Sequence, residues 1–171
     1  MVCSSLAEIL VLWSRLRRKE EPGLKVSSKG EYALRALIVL GQHQGGILSI
    51  SDISEKTLVT VKYLEQIMSP LKKLGYVESK RGVQGGYFLR IPPAEINIGE
   101  IIRQLEGPLS PMSCTSVTAY ESCSLEPGCL LKPLWALIRD TIADVLEHTS
   151  LDDLLQGNIQ LRNGGNIIVK G

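Results

Sequence analysis

The sequence predicts a mainly α-helical fold with one small β-hairpin, followed by a long helix that needs a partner surface. Three observations carry that expectation. Between Thr57 and Arg90 an apolar stripe at helical spacing gives way to two short strands around a glycine-rich turn. Charge divides the chain: residues 24–93 hold ten Lys/Arg against five Asp/Glu, net +5, and residues 94–156 hold three against ten, net −7. Beyond Cys129, the residues Leu130, Leu134, Leu137, Ile138, Ile142, Val145 and Leu146 make an apolar face too long for so small a preceding domain to cover.

Taken in order, Ser27 or Ser28 caps a first helix running to about His43, with Tyr32, Ala33, Leu37, Ile38 and Leu40 on its buried side. Gly45-Gly46 end it, and Ile47-Leu48-Ser49 reads as a brief extended segment. Ser51 then caps a short helix, Asp52 to Lys56, that turns Ile53 inward. Thr57-Leu58-Val59 is the turn, and Thr60 caps the next helix, whose stripe is Leu64, Ile67, Met68, Leu71 and Leu74. Gly75 stops that helix. Pro70 removes one backbone bond inside it and crowds the carbonyl of Gln66. The stripe continues in register past Pro70, which favours a kink over a break; the alternative is Ser69 capping a second short helix with Pro70 at its first position.

Two strands follow, Tyr76 to Lys80 and Gly86 to Arg90, around Arg81-Gly82-Val83-Gln84-Gly85. A hydroxyl-capped helix joined to a small basic hairpin is the outline of a winged helix–turn–helix. In that arrangement the helix enters the major groove of double-stranded DNA and the hairpin grips the flanking backbone or minor groove. Lys62, Gln66, Lys80, Arg81 and Gln84 then project from one edge, which a hairpin that only completes a core does not require. Gly82, Gly85 and Gly86 suit both a tight hairpin and a close phosphate contact. Arg81 beside them favours the contact, since arginine fits a narrow minor groove or a phosphate bidentately.

Pro92-Pro93 close this DNA-binding domain, residues 24–93. Asn97 or Ile98 opens a helix carrying Ile98, Ile101, Ile102 and Leu105 up to Gly107. A loop from Pro108 to Gly128 holds Cys114 and Cys123, and Cys129 stands at the entrance of the long helix. The cysteine loop and dimerisation helix form the segment 94–156, with a second copy of the chain as the natural cover for the apolar face. Thr149 or Ser150 caps a last turn, Leu151 to Gln156. In the C-terminal tail, residues 157–171, the stretch Ile159 to Val169 alternates around Asn163-Gly164-Gly165 as a hairpin would.

Cysteine spacing points to chemistry of its own. Cys114, Cys123 and Cys129 are separated by eight and five residues, beyond the basic half. Three neighbouring thiolates suit soft metals or clusters; three unconnected loop cysteines are the simpler alternative. Cys3 lies in residues 1–23, an N-terminal extension with two origins left open: a translated segment, or an artefact of a start placed upstream of Leu24. No apolar run approaches the ~18 residues that cross a membrane. The stretch Leu6 to Trp13 has its charges (Arg15, Arg17, Arg18, Lys19) on the wrong side for a signal sequence. A cytoplasmic protein is expected. No nucleophile–base pair, phosphate loop or carboxylate dyad is present, so an enzyme is not expected.

The run Tyr63-Leu64-Glu65-Gln66, then Leu71, Gly75, Val77, Ser79, Arg81-Gly82 and Gly85-Gly86-Tyr87, resembles the IscR–NsrR–CymR family of bacterial winged helix–turn–helix repressors. Lys25 to Arg35 is similar to that family's first helix, and Gly99-Glu100-Ile101-Ile102 and Leu105-Glu106-Gly107-Pro108 also match. The resemblance spans roughly residues 24–156. It implies a homodimeric DNA-binding transcription regulator, with base reading by Thr60, Lys62, Tyr63, Glu65 and Gln66. Backbone contacts would come from Lys29, Lys80, Arg81, Gly82, Gln84, Gly85, Gly86 and Tyr87.

In the cluster-binding branch the three loop cysteines hold an iron–sulfur cluster, so the resemblance implies one here, [2Fe–2S] ahead of [4Fe–4S], sensing cluster status, nitric oxide or redox state. Two departures stand against it. The gap between Cys114 and Cys123 is longer than the family's usual one. Lys132 occupies the place of the histidine that completes the [2Fe–2S] site, and a protonated lysine is a donor, not a ligand. Glu31 matches a position from which some members supply a carboxylate to the other subunit's cluster; in the first turn of its helix it equally favours the helix dipole. His43 and His148 are weaker candidates. Three alternatives stay open: thiols that oxidise to sulfenic acid or disulfide, a Zn²⁺ ion that orders the loop, and a winged helix that docks on a protein.

Overall fold

The computed structural model describes residues 27–43, 46–161 and 165–166. Three helices build the first layer: α1 (Ser28–Gln42), α2 (Ile50–Thr57) and α3 (Val61–Lys73). Strands β1 (Val77–Lys80) and β2 (Gly86–Leu89) pair antiparallel, with Val77 opposite Leu89 and Lys80 opposite Gly86. Helix α4 (Ile98–Glu106) leads through the cysteine loop to α5 (Lys132–Glu147), and α6 (Leu151–Gln156) returns to the core. A two-residue pair, β3 (Gln160–Leu161) with β4 (Gly165–Asn166), forms the tail hairpin that the alternation predicts. The expectations for residues 1–23 lie outside the described residues.

Caps explain where the first helices start. Ser27 is the N-cap of α1 and accepts from Gly30 N. Its own backbone N–H and hydroxyl donate to the Glu106 carboxylate from α4, at 3.0 and 2.8 Å. A carboxylate at a helix N-terminus meets both unpaired N–H groups and the positive end of the dipole. Glu106 thereby clamps α4 onto α1. Helix α2 departs from expectation: its cap is Ser49, not Ser51, because Asp52 at the third helical position returns a bond to the Ser49 N–H (3.1 Å) and closes a capping box.

Thr60 holds the cap position of α3 with extended backbone angles, yet its hydroxyl makes no capping bond. Its carbonyl accepts from Tyr63 N and Leu64 N instead, both at 3.0 Å. Helix α3 runs through Pro70 without a break, as the in-register stripe predicts. Its end is a Schellman motif: Gly75 at φ +85° donates to Lys72 O, and Tyr76 donates to Leu71 O. That turn corrects one core assignment. Leu74 stays 39% exposed, and Tyr76 takes the buried place expected of it. The Tyr76 hydroxyl donates to Gln104 Oε1 at 2.9 Å. Burial first, then the Glu100 charge, pushes this phenol up to about 12, so it remains a neutral donor between the end of α3 and α4.

The extended segment before α2 is part of the wing. Leu48 exchanges both backbone bonds with Tyr87, at 2.8 and 3.0 Å. This approach explains Gly86, where a Cβ would lie 2.2 Å from Leu48 O, and a Cβ at Gly85 would meet Lys80 O at 2.5 Å. Two of the three wing glycines are therefore required by backbone packing, and Gly82 (φ +115°) alone is a conformational requirement. Gly86→Ala is expected to destabilise the chain by ~1–3 kcal/mol through forced backbone displacement. Chemical denaturation checks this; an unchanged midpoint would mean that Leu48 does not pair with the wing in solution.

Leu37, Leu40, Ile53, Leu64, Ile67, Met68 and Leu71 are buried in one core with Ile96, Ile101 and Leu151. The charge boundary near residue 93 is thus no gap in packing. Ile98 N donates to Thr149 O and Leu151 N to Ile96 O, stitching α6 to the start of α4. Asn97 caps α4 by accepting from Glu100 N at 2.9 Å, and Ser150 caps α6 in a second capping box, with Asp153.

Candidate nucleic-acid interface and cysteine loop

Helix α3 divides cleanly into two faces. Leu64, Ile67, Met68 and Leu71 are buried, while Thr60, Lys62, Glu65 and Gln66 are exposed. Lys62 and Gln66 are one helical turn apart and share the outer face with Glu65. Tyr63 behaves differently from its neighbours. It is half-buried and packs edge-on against Tyr32, with ring centroids 5.8 Å apart. Its ring serves the packing of α3 on α1, so only its outer edge is available to a ligand.

Lys80, Arg81, Gly82 and Gln84 are exposed around the wing turn, and Val83 at its tip is fully exposed. Gly85, Gly86 and Tyr87 are half-buried at the base, where Tyr87 is held by Leu48. Lys72 donates to Ser79 Oγ, a strut from the last turn of α3 to β1 that the sequence reading passed over. No local pattern flags it, since the two residues meet only once the hairpin folds back on α3. Val83 was also missed, because an apolar residue in a basic turn carries no charge pattern to flag it. Lys29 is exposed, but its ammonium donates to Leu105 O at 3.3 Å, beside the Glu106 clamp.

The cysteine loop is built from polar contacts. A 3₁₀ turn at Ser113–Thr115 is held by the Thr115 hydroxyl, which donates to Met112 O at 2.9 Å, and the Arg139 guanidinium donates to Thr115 O. Further on, Glu126 gathers three donors: Lys132 in an ion pair, the Tyr120 hydroxyl at 2.8 Å and Cys123 N at 3.5 Å. The Lys132 bond chiefly holds the Glu126 carboxyl below the usual carboxylate range, with Tyr120 adding to it. Glu126 in turn raises Lys132 and Tyr120, through the hydrogen bond each makes to its carboxylate. Lys132 also lies 5.9 Å from the Tyr120 ring centroid.

Cys114 and Cys129 are half-buried and Cys123 is exposed, all as free thiols. Among the described residues no three His, Cys, Asp or Glu side chains converge as a metal site. Lys132 is committed to Glu126. Glu31 is half-exposed and paired with Arg35 at 2.6 Å one turn along α1, and Arg35 lies over the Tyr32 ring. Within one chain these donors do not fit a cluster.

Helix α5 buries none of its side chains fully. Leu130, Leu131, Leu134 and Leu137 are exposed, the last at 64%, while Ile138, Ile142, Val145 and Leu146 are half-buried against α4 and the core. Among the described residues no helix is long and apolar enough to cross a membrane.

Comparison with known proteins agrees with this architecture. The family profile described as Rrf2, an iron-dependent transcriptional regulator, matches residues 26–157. The chain is similar to the HTH-type transcriptional regulator CymR of Bacillus subtilis, 40% identical over 132 residues that cover 77% of this chain and 89% of the relative. The solved structure of that protein, named as the global cysteine regulator, superposes with a TM-score of 0.67, covering 77% of this chain and 96% of its own. T. potens IscR follows with 37% identity and a TM-score of 0.61, covering 78% of this chain and 88% of that one. The chain belongs to the Rrf2 family of winged helix–turn–helix transcriptional regulators, DNA-binding proteins and not enzymes.

Proposed function

We propose that this protein is a homodimeric cytoplasmic repressor that reads an operator through α3 and its wing, and takes its signal at the cysteine loop. The observation that carries the first part is the exposed polar edge of Lys62, Glu65 and Gln66 on α3, continued by Lys80, Arg81 and Gln84 on the wing and braced by Lys72 on Ser79. Residues 24–93 supply the DNA contacts in this reading, and 94–156 the dimer and the signal. Gln66 pairs bidentately with adenine, Glu65 accepts from cytosine, and Thr60, Lys62 and the outer edge of Tyr63 complete the base contacts. Arg81, Lys80 and Gln84, with the amides of Gly82, Gly85, Gly86 and Tyr87, hold the backbone. Lys29 keeps N–H donors beyond its bond to Leu105 and adds a phosphate contact.

Gln66→Ala is expected to relax specificity at one base step by ~1–3 kcal/mol, whereas Arg81→Ala weakens all sequences alike. Selection of preferred sequences from a random pool, with each variant, measures both. A preferred sequence untouched by Gln66→Ala would remove α3 from the base contacts.

The family's description as iron-dependent supports the cysteines as the signal site, and Cys114, Cys123 and Cys129 share one loop. An iron–sulfur cluster, [2Fe–2S] ahead of [4Fe–4S], needs the thiolates drawn together and a further donor such as Glu31 of a second copy. The second reading keeps them as redox thiols, favoured by their dispersal and by the exposure of Cys123. Purification under nitrogen followed by a visible spectrum and metal analysis decides. Charge-transfer absorption with iron and sulfide supports the cluster; colourless, metal-free protein leaves the thiols; stoichiometric zinc removes both.

A further inference from the structure

A cleft of about 340 Å³ separates α4, the first part of the cysteine loop and α5, away from the DNA edge and with no cysteine in its lining. Two ion pairs line it: Arg103 with Glu147, and Arg139 with Asp140 at 2.6 Å. Leu109 and Val117 add apolar wall from the loop. Asp140 and Glu147 are seven residues apart, on one stripe of α5, and neither Leu134 nor Leu137 lines the cleft. We infer that this cleft binds a small zwitterion of the free α-amino-acid class, and that the ligand acts as an effector.

Charge balance selects the class. The four side chains sum to zero, already arranged as two opposite pairs. A ligand of one sign would enter by leaving a protein charge without its partner, a loss felt most at Arg139, whose side chain is 22% exposed. A zwitterion exchanges instead: its carboxylate takes one arginine fork, its ammonium takes the carboxylate displaced, and no charge is left over. The volume lies near the lower end of small-molecule sites, ~300–1,000 Å³, which suits an amino acid better than a nucleotide.

Its position explains the effect. Arg103 stands on α4, which Gln104 ties to Tyr76 at the end of α3 and Glu106 ties to the N-terminus of α1. Arg139 stands on α5 and also holds Thr115 of the cysteine loop. Gly99 lets these helices approach closely, since a Cβ there would lie 3.0 Å from Glu147 N. Exchange of the Arg103–Glu147 pair shifts α4 against α5, and with it the spacing of the two recognition helices; this step rests on the dimeric DNA-reading assignment above.

Calorimetry on the full chain without DNA, against a panel of free L-amino acids, tests binding separately from that assignment. At least one amino acid binds with a Kd below about 1 mM, and its N-acetyl and carboxamide forms bind at least tenfold more weakly. Arg139→Gln lowers its affinity at least tenfold. Val117→Trp, at an exposed loop position, narrows the cleft and does the same should Arg139→Gln fail to fold. No binding by any amino acid, or equal binding of the N-acetyl form, overturns the inference. Operator titration with and without the amino acid then shows at least a fivefold shift; binding without that shift overturns the effector role, while a protein that ignores DNA altogether overturns the operator reading instead.

Discussion

Raising the salt from 50 to 200 mM is expected to weaken operator binding by ~10³-fold or more. Lys62, Lys80 and Arg81 are exposed on one edge, and the half of the chain that carries them has ten cationic against five anionic side chains. Counted over two subunits, with Lys29 and backbone amides at the wing, roughly six to ten phosphates are neutralised, so log K should fall against log salt with a slope of about −5 to −9. The overall charge of +1 does not predict this, because the compensating carboxylates lie in the other half of the chain, residues 94–156. Arg81→Ala should lower the slope by about one per contact removed, twice per dimer. Fluorescence anisotropy over a salt series measures the slope. A slope near zero would mean that this edge is not the DNA surface, whatever the helix geometry.

The second large effect is at α5. Leu134→Asp with Leu137→Asp is expected to give a monomer on sedimentation, with operator affinity reduced by ~10²–10⁴, because two linked half-site contacts become two independent ones. The reason is local. Both leucines are about half-exposed or more in the single chain, so the change removes nothing from its own core. In the proposed dimer the same positions would lie in a desolvated seam where two added carboxylates have no partner. Thermal unfolding of the variant monomer should therefore stay cooperative. A variant that remains dimeric would place the interface on another face of the helix.

Much of the winged domain, up to residue 93, was legible before folding. Apolar stripes at helical spacing, hydroxyl caps and the Gly75 stop are local signals, and helix ends depend on residues a few positions away. The Tyr63 to Tyr87 run carried the family as well. Errors there were also local: Ser49 and not Ser51 caps α2, because a capping box needs its acidic partner three residues on, and Asp52 supplies it only to Ser49. Leu74 matched the stripe but lost its place to Tyr76, since the Schellman turn swings the next residue inward.

What the sequence by itself determined was the order of elements, the basic and acidic halves, the polar face of α3 and an apolar α5 with no cover. Tertiary structure alone decided which partners meet across long separations. Glu106 caps α1 from a helix almost eighty residues on, Leu48 completes the wing, Gly86 exists because Leu48 lies against it, and Lys132 is spent on Glu126. It also decided that three cysteines close in sequence do not converge within one chain. Periodicity and capping report on neighbours along the backbone. A carboxylate that bonds a distant helix, or thiols that fail to meet, depends on how loops are packed, and no local pattern encodes that.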